Sequence, residues 1–293
     1  MPAIENLLLS IGAMKAGTSW LYMLLRDHPQ IDAVPLKEIH YFAQHHTGYR
    51  LLDFAERKRK VRDMGAWLPA HESDKARTVL DWFRAYLADP VDDAWLASLY
   101  RDPQGPSWCA EFSNLNSLLP QAGWQHVRRT ARRVRVLYTL RNPMARLWSH
   151  TRFHLAFIGG FAQLAHMKRA DFEVFLALPE ISDHARYARV LRALRQNLNR
   201  EEYHIVIYEQ IERAPRDVLA GIEAFLEIPP GIYDIGHLGE RHNPGPSHAM
   251  PPAFVAAARP MVEAELTSLE ARGFPVPAAW LNVAFATGKG IIS

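Results

Sequence analysis

Lys15 stands three residues after Gly12 and two before Gly17, with Thr18 and Ser19 directly behind. Two glycines at that spacing, followed by hydroxyl residues, suit a turn that gathers backbone N–H groups around an anion, with a lysine as added point charge. The layout is not that of an ordinary ATP or GTP loop. There the lysine follows the second glycine, a place taken here by Thr18, and the loop's one lysine is Lys15. Such loops also need a magnesium partner, usually an aspartate at the end of a neighbouring buried strand. The best later strands end in Thr139-Leu140-Arg141 and Ile207-Tyr208-Glu209, and Arg141 has the wrong sign for a metal ion. A second group of reactive residues is Glu38 and His40, just after the short strand candidate Ile31-Asp32-Ala33-Val34. The carboxyl ends of strands are where open α/β sheets hold ligands, so both are candidates for proton chemistry. His150 and His154 have a helical spacing that can bind zinc, and His45-His46 lie elsewhere. With no acidic third ligand in view they read as surface or packed histidines, and no metal site is expected.

The elements that must position these residues follow from the apolar pattern. Leu7-Leu8-Leu9-Ser10-Ile11 is short and apolar enough for a buried parallel strand, and Thr18 to Leu25 restarts with helical spacing. Further strands are expected at Trp108–Phe112, Val134–Leu140 and Tyr203–Tyr208, and helices at Gln121–Arg133, Pro143–Phe157, Asp171–Leu178, Ser182–Asn199, Pro215–Leu226 and Ala253–Arg272. Trp280 is expected to pack the last helix down, and 235–252 is a glycine- and proline-rich loop. Strands alternating with helices predict an α/β fold, a single P-loop-like domain over 1–293 whose central parallel sheet is flanked by helices. Residues 44–110 are less regular. They hold a basic cluster (Arg57 to Arg62) and Trp67, Trp82, Trp95 and Trp108, and short helices such as Ala76–Ala88 and Asp92–Tyr100 are expected there as a substrate lid.

A chain of 293 residues with 48% hydrophobic and 22% charged residues has the balance of a globular protein with an ample core. The net charge of +3 fits an anionic small molecule and gives no case for nucleic acid. One cysteine, Cys109, excludes an internal disulfide framework. The first apolar run is too short to span a bilayer and lacks a signal-peptide pattern, so a cytoplasmic protein without a transmembrane segment is expected.

Three separated segments resemble one family. IGAMKAGTSWL is similar to the phosphosulfate loop of sulfotransferases that use 3′-phosphoadenosine 5′-phosphosulfate (PAPS). LRNPMARLWSHTRF is similar to their second signature, an arginine and a serine eight residues later, and KEIHYF to the segment carrying the glutamate base in the heparan-sulfate-type and bacterial branches. The order matches, and VIYEQI fits a later strand. The resemblance implies that Lys15, Ala16, Gly17, Thr18 and Ser19 hold the 5′-phosphosulfate and that Arg141 and Ser149 hold the 3′-phosphate. It implies adenine contacts for Trp20 and Tyr208, and a closing loop at Arg241, His242 and Asn243, whose sequence departs from the usual glycine-rich form. Phe112 replaces a lysine, and Ala43 an acidic residue, both of which accompany carbohydrate sulfation, so the acceptor is open among small-molecule, lipid and carbohydrate alcohols. The lid tryptophans suggest an aromatic or lipid-like alcohol as readily as a sugar.

The chemistry this implies is direct in-line transfer. Sulfuryl groups carry less charge than phosphoryl groups, so lysine and backbone donors suffice where a kinase needs magnesium. Glu38 is the expected base, His40 its orienting or proton-sharing partner, and Lys15 the group that neutralises the leaving oxygen. The competing expectations are a P-loop kinase of a small metabolite and an inactive nucleotide-binding module. Oligomeric state is not legible.

Overall fold

The computed structural model describes residues 1–65, 74–233 and 248–285. Trp67 and the expected closing loop of Arg241, His242 and Asn243 lie outside the described residues. Five strands, β1 (Ile4–Ser10), β2 (Ile31–Ala33), β3 (Trp108–Phe112), β4 (Ala131–Leu140) and β5 (Tyr203–Ile207), form one sheet in the order β2-β3-β1-β4-β5. Every pairing is parallel. β1 lies at the centre, with Leu7 opposite Cys109 of β3 on one side and Val134 of β4 on the other. Its continuous apolar run is what a strand buried on both faces requires.

Alternate residues of the strands feed two separate cores. Leu7, Leu9, Val134, Val136 and Tyr138 enter the larger one, while Leu8, Ala110, Phe112, Leu137 and Val206 enter the smaller. After β1 the chain moves out to β2 and β3, then crosses to β4 on the other side of β1. That reversal puts a crevice beyond the carboxyl end of β1, where doubly wound sheets bind ligands.

The helices that matter to the site are α1 (Thr18–Leu25), α2 (Tyr41–His46), α3 (Phe54–Gly65), α4 (Asp74–Leu87), α5 (Asp93–Ser98), α6 (Gln121–Thr130) and α7 (Pro143–Phe157). Behind them come α8 (Arg169–Leu176), α9 (Pro179–Ser182), α10 (Tyr187–Asn197), α11 (Tyr208–Arg213) and α12 (Pro215–Leu226). Two C-terminal helices, Pro252–Glu270 and Ala278–Phe285, close the described chain. No helix of the described residues is long and apolar enough to cross a membrane.

Expected boundaries shift where polar residues disguise a strand. β4 begins at Ala131, three residues before the apolar run, because Arg132 and Arg133 project outward while their backbone pairs with β1. Hence α6 stops at Thr130 and not at Arg133. β5 stops at Ile207, and Tyr208 opens α11. Trp280 is buried against Tyr187 and Phe274, as its position predicts. Of the tryptophans in the 44–110 stretch, Trp82, Trp95 and Trp108 are buried. Trp82 stacks on Tyr86, and its indole N–H donates to the Leu99 carbonyl at 3.1 Å.

Candidate active site

Gly17 closes the turn after β1 in the left-handed region, φ 90°, and serves as N-cap of α1 with no side-chain cap. Gly17 therefore offers no side chain to the N–H groups at the start of α1, and the positive end of the helix faces the crevice. A Cβ on Gly17 would lie 2.7 Å from Cδ2 of Tyr208, so glycine is demanded by both φ and space. The Tyr208 ring has the Arg141 guanidinium over it at 4.3 Å, and Arg141 Nη1 donates to the Lys15 carbonyl at 3.4 Å. Turn, strand end and the first residue of α11 are thus one packed unit.

Thr18 and Ser19 do not cap the helix. Both hydroxyls accept from the ammonium of Lys37, at 3.1 and 3.3 Å. The same Nζ donates to Glu38 Oε1 at 3.1 Å. Lys15, the lysine inside the loop, rests its ammonium 4.5 Å from the Phe153 ring centre on α7. Burial pushes the Lys15 ammonium below the ordinary lysine range, with Lys37, Arg152 and Arg141 adding repulsion. Positive charge is concentrated around a positive helix end.

Glu38 and His40 are also in the left-handed region, at φ 64° and 65°, as is Lys15 at 67°. Glu227, which ends α12, is the one other described non-glycine residue with positive φ. Such backbone strain is held only where the surroundings over-determine it, and it gathers at working sites. Here the restraints are visible. Glu38 N–H donates to the Phe112 carbonyl at 2.9 Å, and Glu38 Oε2 accepts from the Asn114 N–H at 2.8 Å. His40 N–H donates to Ser113 Oγ at 2.8 Å, and that hydroxyl donates to Glu111 Oε1 at 2.8 Å. Glu111 also accepts from Tyr41 N–H and Asn116 Nδ2. It is fully buried, and burial raises its carboxyl above the usual range. Sequence reasoning passed over Lys37 and Glu111. Lys37 could have been noticed as a second lysine beside Glu38; nothing in the sequence marks Glu111 as the clamp of the turn.

His40 Nε2 lies 3.4 Å from Glu38 Oε2, and burial holds the imidazole down to about 4. His40 is neutral near pH 7, able to orient the carboxylate but not to act as a cation. Lys60 of α3 donates to the Glu38 carbonyl at 3.2 Å, so part of the basic cluster reaches the loop that carries Glu38. Ala16 is buried under the turn, Trp20 is packed in the smaller core, and Ser149 is half-buried on α7 two turns past Asn142. Glu209, the acid at the end of β5, is committed elsewhere: Oε1 accepts from Asn142 N–H at 2.8 Å and Oε2 from Trp280 Nε1 at 3.1 Å. Behind the site Arg146 is fully buried, with Nε and Nη2 unpartnered and Nη1 3.4 Å from His150 Nδ1. Among the described residues no cluster of three potential metal ligands occurs.

A strand, glycine turn and helix with this cation-rich crevice occur in residues 8–231, the span over which the model of the sulfotransferase family matches. The chain belongs to that family. The crystal structure of a sulfotransferase from Alicyclobacillus acidocaldarius has the same fold: TM-score 0.57 at 19% identity, over 94% of this chain and 99% of that one. The sulfotransferase domain from the curacin biosynthetic pathway matches at TM-score 0.49 and 17% identity, over 97% and 96% of the two chains. That of the Synechococcus PCC 7002 olefin synthase matches at 0.47 and 16%, over 97% and 94%. No curated protein matches the sequence. The family relation makes this sulfotransferase an α/β protein with a P-loop-like turn at the head of its central strand.

Proposed function

We propose that this sulfotransferase takes the sulfuryl group from PAPS and passes it to an acceptor hydroxyl by direct in-line transfer, with Glu38 as general base. The observation that carries this is the charge arrangement at α1. Lys15, Lys37 and Arg141 gather near a helix N-terminus whose N-cap glycine carries no side chain, and Glu38 is the acid paired with Lys37. A polyanion fits that crevice, since it would meet the cations of the turn and the positive end of α1 together. Lys15, Ala16, Gly17, Thr18 and Ser19 would hold the 5′ end of the donor, Arg141 and Ser149 its 3′-phosphate, and Trp20 and Tyr208 its adenine. PAPS supplies an activated sulfuryl group on a good leaving phosphate. The chain's own contributions are then specific. Glu38 takes the acceptor proton, His40 fixes the carboxylate as a neutral hydrogen-bond partner, and Lys15 neutralises charge on the leaving oxygen.

The proposal extends to one domain over 1–293 in which 44–110 faces the acceptor, supported by the contact of Lys60 with the base loop. A small-molecule, lipid or carbohydrate alcohol is the acceptor class, and the buried, high-pKa thiol of Cys109 suits a cytoplasmic setting. The test is thermal shift. 3′,5′-Adenosine bisphosphate should stabilise the protein without magnesium, by about 2.7 kcal/mol at a hundredfold excess over its Kd. Stabilisation only by ATP with magnesium would favour a kinase, and ligand binding without turnover across a panel of alcohols with labelled PAPS would leave a nucleotide-binding module.

A further inference from the structure

Lys37 uses all three ammonium protons inside the site, on Thr18 Oγ1, Ser19 Oγ and Glu38 Oε1. It therefore joins the two halves of the machinery: the anion cradle at the head of α1 and the carboxylate on the loop after β2. The junction is partly shielded, with side chains of Lys37 and Glu38 only 21% and 26% exposed. Glu38 has its other oxygen on the Asn114 N–H at 2.8 Å. Both carboxylate oxygens are thus engaged, and the one held by Lys37 is the one that a change in the cradle can release. An ammonium beside a helix N-terminus has the unfavourable sign, and it keeps that place because Glu38 and two hydroxyls hold it.

We propose that Lys37 is a donor-sensing latch on the base. In this structure Lys37 pairs with Glu38 and occupies Oε1. In the donor-loaded protein Lys37 keeps its hydroxyl contacts and turns its third proton from Oε1 to an oxygen of the sulfuryl end. Oε1 is then free to accept the acceptor's O–H proton. In the transfer itself the acceptor oxygen forms its bond to sulfur as the proton goes to Glu38. The sulfur–oxygen bond to the 5′-phosphate breaks with its electron pair leaving on the bisphosphate. Lys37 is thus a positioning residue for Glu38 and a ligand of the donor, and the base is uncovered only when there is a sulfuryl group to transfer. The latch rests on the PAPS assignment above.

The test is a double-mutant cycle read by titration calorimetry with PAPS, and with 3′,5′-adenosine bisphosphate as the ligand lacking the sulfuryl group. Glu38→Gln keeps the shape of the side chain and removes its hold on the ammonium. PAPS should then bind about fivefold tighter than to the parent, the size of one partly exposed ion pair. In a Lys37→Met background the same Glu38→Gln change should leave PAPS affinity within about twofold. Lys37→Met alone should weaken PAPS by about tenfold more than the bisphosphate, and Lys37→Arg should recover part of that loss. A base with no latch gives equal PAPS affinity with and without the Glu38 charge in both backgrounds, and that result overturns the inference. Failure of the parent protein to bind PAPS at all overturns the donor assignment and the latch with it. PAPS turnover with no coupling between positions 37 and 38 overturns the latch alone.

Discussion

Gly17→Ala should damage this protein twice, and the two effects can be separated. The first is conformational: at φ 90° a residue with a Cβ is strained by about 1–2 kcal/mol. The second is steric. The new Cβ would meet Tyr208 Cδ2 at 2.7 Å, and ordinary contact begins at 3.4 Å, so the ring must retreat by 3.4 − 2.7 = 0.7 Å. It cannot swing freely, because the Arg141 guanidinium lies over it at 4.3 Å and Ile211 Cδ1 already stands 3.5 Å from the same Cβ position. Forced overpacking of this kind adds about 1–3 kcal/mol. Gly273 provides the control: φ is 68° and nothing lies within 4 Å of its Cβ, so Gly273→Ala carries strain alone. Urea denaturation should place Gly17→Ala at least about 1 kcal/mol below Gly273→Ala. Calorimetry should find binding of 3′,5′-adenosine bisphosphate about tenfold weaker in Gly17→Ala and unchanged in Gly273→Ala, because only the former moves Arg141. Adding Tyr208→Ala to Gly17→Ala should recover the steric part of the stability loss. Equal losses in the two glycine variants, with bisphosphate affinity intact in both, would refute the coupling of turn, ring and guanidinium.

Two further outcomes follow from buried charge. Burial holds His40 and His184 down to about 4 against an ordinary 6.5, so the unfolded chain takes up protons between those values while the native state does not. Stability is therefore lost as pH falls from 6.5 to 4, each histidine contributing about 2 kcal/mol of loss by pH 5. His184→Leu should flatten that acid slope in urea melts taken at pH 7 and pH 5; a slope parallel to the parent's would sink the assignment. Arg57 is almost wholly buried and donates to the carbonyls of Leu52, Tyr86 and Ala88, stapling α3 to α4. Arg57→Met strands those acceptors and should lower stability by about 3 kcal/mol, and a loss under 1 kcal/mol by urea titration would show the staple to be dispensable.

The fold was legible wherever apolar runs were short and bounded. Trp108–Phe112, Pro143–Phe157 and Pro215–Leu226 fall on the residues expected, since glycine, proline and polar turns mark both ends. β4 was misjudged at its start because Arg132 and Arg133 look like a helix end, and only pairing with a strand about 130 residues earlier reveals their backbone as extended. At the site, residue types pointed to Lys15, Glu38 and Arg141, but not to the way they are held. The positive φ at Lys15, Glu38 and His40 leaves no mark in composition, because non-glycine residues usually avoid it. The Ser113–Glu111 clamp and the reach of Lys37 to α1 are products of tertiary contact. The tryptophans of 44–110 carry a related ambiguity: a large aromatic residue in an irregular stretch can as well be core as lining, and burial alone places Trp82, Trp95 and Trp108 in the core.

The central place of β1 has a consequence for how the chain is made. Its partners on both sides, β3 and β4, are encoded about a hundred or more residues later. At ribosomal speeds of about 5–20 residues per second, the first apolar strand waits roughly 6–26 seconds before β4 has been synthesised. Leu7, Leu8 and Leu9, which end wholly buried, have no strand beside them until β3 emerges and lack the second until β4 does. The nascent chain thus carries an apolar strand made well before its partners, and the crevice is completed only after β4 has emerged. Chaperone capture of the β1 segment would protect the very residues on which the finished crevice is built.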